Sequence, residues 1–128
     1  MIQNLIAGWS LMVLGVLIGM TIGLWAHDDA WAGGYPSYRR RMLRLSHVAA
    51  FALGIINVLY AFCGEWAALP PVLFSAGSWA MILGGILMPL ACLLASWKKP
   101  LRVFFPVPAV LLLVAISVMC FGLWRSGI

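Results

Sequence analysis

Four long apolar runs, separated by short polar or proline-rich breaks, set the pattern of the chain. They cover roughly Asn4–Ala26, Leu43–Cys63, Val72–Trp97 and Val103–Trp124. Each approaches or exceeds the ~20 residues that carry a helix across a hydrocarbon core. A run of this kind must be helical in lipid, because its backbone donors and acceptors have to be satisfied within the segment. A membrane barrel would show strands of ~10 residues with alternating polarity, and no such alternation is visible. Pro70 and Pro71 suit the first turn of the third helix, where a missing N–H costs little. Pro100, Pro106 and Pro108 crowd the start of the fourth run, so its regular part is predicted to begin near Pro106. The expected fold is an all-α integral membrane protein: a four-transmembrane-helix bundle forming a single membrane domain over residues 1–128.

Composition narrows the class further. Of 128 residues, 65% are hydrophobic and 9% charged, with eight Lys/Arg against three Asp/Glu. Soluble domains are about 25% charged, and a chain this short could not hide so much apolar surface from water. Disorder requires low hydrophobicity. The bases are too few and too local for a nucleic-acid partner, so the lipid bilayer is the expected surrounding. Ala30-Trp31-Ala32 resembles a signal-peptidase site. However, no Lys or Arg precedes the first run, and that run is long for a signal peptide; a retained first helix is expected.

Charge sets an expected orientation. Arg39, Arg40, Arg41 and Arg44 lie between the first two spans or at the edge of the second, and Lys98, Lys99 and Arg102 lie between the last two. The second loop has Glu65 and no base, and the end of the chain has only Arg125. Loops one and three share a side, and an excess of bases marks the cytoplasmic side. The expectation is a multi-pass protein of the inner (plasma) membrane, N-out and C-out.

Small residues predict the packing. Gly8, Gly15, Gly19 and Gly23 fall within about an 80° arc of the first helix. This is a doubled small-x-x-x-small stripe, fit for a contact inside the bundle or for a dimer seam. On the second helix, one face runs Arg40, Arg44, His47, Ala50, Gly54, Asn57 and Ala61. A polar face is costly against lipid, so it should turn toward protein, with the glycine stripe of the first helix as its partner. Pro89 is expected to kink the third helix.

The candidate chemistry concentrates at one end. His27, Asp28 and Asp29 close the first span, and Arg40, Arg44 and His47 open the second. One reading is a structural Asp–Arg/His network. A second is a cofactor pocket for haem b or a quinone, built from His47, His27, Arg40, Arg44 and Asn57: imidazoles as axial ligands or donors to a quinone carbonyl, guanidiniums on propionates. A third is a metal or proton site, with His27, Asp28, Asp29 and His47 as N and O ligands. Cys63, Cys92 and Cys120 form no C-x-x-C. Cys63 and Cys120 lie toward the same end and could pair, but free thiols are the simpler expectation. No nucleophile–base pair, phosphate loop or pair of acids at catalytic spacing is present, which argues against an enzyme.

In size and span count the chain resembles small multidrug transporters, yet Asn4–Ala26 holds no Asp or Glu for their membrane-embedded acid. Fluoride channels are of similar length, but the one-sided charge bias argues against their dual insertion. The leading expectation is a non-catalytic accessory subunit of a larger membrane complex, respiratory or electron-transfer in kind. The alternatives are a haem- or quinone-binding redox protein using His47 and a small homo-oligomeric transporter or channel.

Overall fold

A computed structural model describes residues 1–127. Among them are four long helices: α1 (Ile2–Trp25), α2 (Tyr38–Cys63), α3 (Pro71–Trp97) and α4 (Pro106–Ser126). Short 3₁₀ turns, Trp31–Gly33 and Lys99–Phe104, fill the first and third loops. All four helices are long and apolar enough to cross a membrane, the architecture that a multi-pass membrane protein requires; the described residues contain no strand.

The helix ends follow local chemistry more than the limits of the apolar runs. α2 starts five residues before its run, at Tyr38, because Ser37 caps it: the Ser37 hydroxyl accepts from the Arg40 N–H at 3.1 Å. The bases at its start are therefore helical. α3 opens on Pro71 and α4 on Pro106, each using proline where no donor is needed. Pro89 lies within a continuous α3 and withholds the N–H that would bond the Gly85 carbonyl.

Chain neighbours are the principal packing partners: α1 against α2, α2 against α3, α3 against α4. The central α3 is 56% buried over its most apolar stretch, against 17% for α1 and 22% for α4. α1 and α4 thus form the flanks of the structure. In lipid this order cannot come from hydrophobicity, since tails and side chains are equally apolar; close approach and polar contacts decide it.

The glycine stripe of α1 meets the small face of α2, as its spacing predicts. A Cβ on Gly8 would lie 2.6 Å from the Gly54 carbonyl oxygen, and one on Gly54 would lie 2.7 Å from that of Gly8. Gly15 fits against Phe51 and Gly19 against the His47 ring. These three glycines are committed to a contact within the chain; Gly23 alone in the stripe faces open space. Toward α4 the packing is apolar, built from Tyr60, Ala80, Met81, Leu112, Ala115 and Met119.

Candidate functional site

The residues singled out by sequence separate into three places. The first is the turn after α1. The Asp28 carboxylate accepts from the Ala30 N–H at 2.9 Å, and Ala32, Gly33 and Gly34 carry positive φ of 56°, 87° and 87°. That path brings the chain back to Ser37, whose hydroxyl donates to the Ala32 carbonyl at 2.7 Å. Arg40 is buried beneath the turn. Its Nη2 donates to the Ala26 carbonyl at 2.7 Å and its Nη1 to that of Asp28 at 3.4 Å. The last carbonyls of a helix lack intrahelical donors and carry the negative end of its dipole. A guanidinium on the Ala26 carbonyl answers both needs at the end of α1. The Arg40 guanidinium also lies 5.7 Å from the Trp31 ring centre and 5.5 Å from that of Tyr35, while Arg44 stands 4.3 Å over Tyr35. The expected Asp–Arg network is therefore, at Arg40, a network of arginine with backbone carbonyls and aromatic faces.

The second place is His47, about ten residues along α2 from Asn57 and so roughly 15 Å from it. Its Nδ1 lies 2.6 Å from the Gly15 carbonyl. A carbonyl can only accept, so this bond puts a proton on Nδ1 and leaves Nε2 outside it. The ring occupies the space that a side chain on Gly19 would need. His27, Asp28 and Asp29 are exposed at the end of α1. Among the described residues no three His, Cys, Asp or Glu side chains come together as a metal set.

The third place is in the interior, and Asn57 belongs there. Asn4, Asn57 and Ser78 are almost wholly buried and join three helices. Asn4 Nδ2 donates to Asn57 Oδ1 at 3.2 Å and to the Ser78 carbonyl at 3.4 Å. The Ser78 hydroxyl donates to Asn4 Oδ1. Asn57 Nδ2 donates to the carbonyls of Leu53, at 3.0 Å, and Met81, at 3.4 Å. Asn4 and its bond to Asn57 escape the sequence reading. The available signal is an amide in an apolar helix at four residues before Gly8, on the same face as the glycine stripe. One more buried polar atom stands apart: the Tyr60 hydroxyl has no hydrogen-bond partner among the described residues.

The thiols are free. Cys92 is buried in α3; Cys63 and Cys120 border a shallow groove of about 150 Å³ with Tyr60, Met81 and Met119. Of the larger clefts, one of about 210 Å³ lies between α3 and α4 and is apolar. Two others adjoin at Tyr38 and Met42 and carry bases. The chain matches no protein-family model, no curated protein and no solved structure.

Proposed function

We propose that the chain is a non-catalytic subunit of a larger membrane assembly, inserted in the inner membrane with both chain ends outside and loops one and three in the cytoplasm. The observation that carries this reading is the use already made of the interior polar groups. Asn4, Asn57 and Ser78 satisfy one another and nearby carbonyls, and Arg40 closes α1. His47 bonds a helix backbone. Each of these groups stabilises the fold, and no catalytic set is formed among them. Outward, the chain presents apolar flanks. Trp79, at mid-depth in α3, is 49% exposed, and a large aromatic ring there suits a neighbouring helix as well as lipid. Purification in a gentle detergent, followed by native mass spectrometry, tests the reading. Foreign membrane chains at fixed stoichiometry are expected; a lone monomer or homodimer overturns it. The orientation is tested by Arg41→Cys, expected to react with an impermeant maleimide only from the cytoplasm.

One observation favours a haem-binding alternative. A metal-ligating histidine commonly gives its other ring N–H to a carbonyl, and His47 does so toward Gly15. Titrating purified protein with haem checks this. A Soret shift abolished in His47→Ala supports it, and an unshifted spectrum removes it.

A further inference from the structure

Opposite Arg40, which closes α1, the same first turns of α2 carry a second stripe: Tyr38, Arg41, Met42, Leu45 and Val48, at i, i+3, i+4, i+7 and i+10. We propose that this stripe and the adjoining Lys99–Phe104 turn form a binding site for one anionic phospholipid. Two open clefts meet here. One, of about 430 Å³, has Arg41 and Arg44 beside Met42, Leu45 and Val48. The other, of about 740 Å³, has Arg102 beside Val103, Phe105 and Pro106. Tyr38 and Met42 line both, and the Lys99 ammonium stands 5.5 Å over the Tyr38 ring.

The charge is one-sided. Arg41, Arg44, Lys99 and Arg102 surround the site, and no Asp or Glu lines either cleft. Asp28 faces its own turn through Ala30, Asp29 lies in the same turn and lines neither cleft, and Glu65 lies beyond the far end of α2. Arg41, Lys99 and Arg102 are exposed. They are free to converge on a phosphate, unlike Arg40, which holds two carbonyls.

The order of residues along α2 selects a lipid over a soluble phosphate. Arg41 and Arg44 lie in the first two turns of α2, and beyond them Leu45 and Val48 continue the cleft inward. From Arg41 to Val48 the helix advances roughly 10 Å, enough for several methylenes of an acyl chain below a bound headgroup. A soluble phosphate would leave that apolar floor uncovered. Basic pockets between membrane helices are a recurrent mode of headgroup recognition. The inference depends on membrane insertion alone and is independent of the accessory-subunit reading.

The test uses the full chain in a neutral detergent, with native mass spectrometry against phosphatidylglycerol and phosphatidylcholine. Wild type should retain one phosphatidylglycerol, with roughly tenfold preference over phosphatidylcholine, given the attraction that each base contributes. The double variant Arg41→Gln/Arg102→Gln should reduce that preference to about twofold or less. Arg39→Gln/Arg125→Gln removes the same charge away from the clefts and should leave it intact. Equal retention of both lipids by wild type overturns the proposal without recourse to any variant. Equal loss in the two double variants overturns it too, since that would be bulk charge. Displacement of the lipid by millimolar inorganic phosphate would make the site one for soluble phosphate and would overturn the lipid assignment.

Discussion

α1 and α4 are both flanking helices, yet they are held by different means. α1 is tied by hydrogen bonds from Asn4 to Asn57 and to the Ser78 carbonyl, and by His47 to the Gly15 carbonyl. Its glycines bring it so near α2 that backbone meets backbone. α4 rests on α3 through Leu112, Ala115 and Met119. Its polar link to the preceding chain is a backbone bond in which the Ala68 N–H donates to the Gly122 carbonyl at 3.1 Å. Among the described residues, the side-chain hydrogen bonds between helices all lie within α1, α2 and α3. Where the surrounding solvent is itself apolar, the polar contacts specify a partner and an apolar face specifies only a shape. The first three helices are thus fixed as a unit, and α4 is placed by fit.

The largest expected effect follows from the backbone contact. In Gly54→Ala, the new methyl would press on the Gly8 carbonyl oxygen and the Met12 nitrogen, at 2.7 and 2.9 Å. Backbone cannot rotate away, so a loss of about 3 kcal/mol is expected, at the upper end for overpacking. Gly84→Ala makes the matching test on the α4 side. There the methyl meets Leu112 Cγ and Cδ2 at 2.7 and 2.8 Å and reaches the Leu112 nitrogen only at 3.3 Å; the closest atoms belong to a side chain that can shift in part, so a smaller loss of about 2 kcal/mol is expected. Reversible unfolding in mixed micelles measures both. Equal losses would mean that the two interfaces are equally rigid.

The buried amides come next. Asn57→Leu should cost about 1–2 kcal/mol, near the upper range for hydrogen bonds between membrane helices. Asn4→Leu should cost a similar amount, because either change leaves the partner amide short of a bond in an apolar interior. The double variant should cost less than the sum of the two singles, the signature of a shared contact. Strict additivity would show that the two amides act separately. A smaller effect is expected at the end of α1. Arg40→Gln removes the guanidinium from the Ala26 and Asp28 carbonyls and should destabilise by about 1 kcal/mol. Arg39→Gln, at an exposed neighbour, should change stability by less than about 0.5 kcal/mol.

The span count, the late start of α4 at Pro106 and the pairing of the α1 stripe with α2 were legible because each depends on local composition or on helical spacing. The grouping of the candidate site was only partly legible. Helical phase alone put Asn57 on one face with His47, and both do face protein. Phase carries no depth, however, and about ten residues of rise place them at different levels of the bundle. Arg40 was expected beside the Asp28 region and is there. Its partners are carbonyl oxygens and aromatic rings, and these leave no trace in a reading based on formal charge. Asn4 stayed hidden because an amide near a span end reads as interfacial; only the chain's return through α2 and α3 shows it to be interior.

Among the buried side chains the smallest effect is expected at Tyr60, where the two kinds of packing meet. Its ring stacks on Phe74, with centroids 5.9 Å apart and planes at 27°, and belongs to the apolar core shared with α4. Its hydroxyl is pressed against Gly77 without a hydrogen-bond partner among the described residues. Removing an unsatisfied hydroxyl deletes a desolvation cost and no bond, so Tyr60→Phe should raise stability by roughly 0.5 kcal/mol, within the usual range for one polar group. Asn57→Leu, three residues earlier on the same helix, should do the opposite, because there the polar atoms are bonded. The opposite signs of two polar-to-apolar changes on one helix follow from whether each group has a partner. A loss of stability in Tyr60→Phe would show that the hydroxyl does find an acceptor in the membrane, and the core shared with α4 would then not be purely apolar in its contacts.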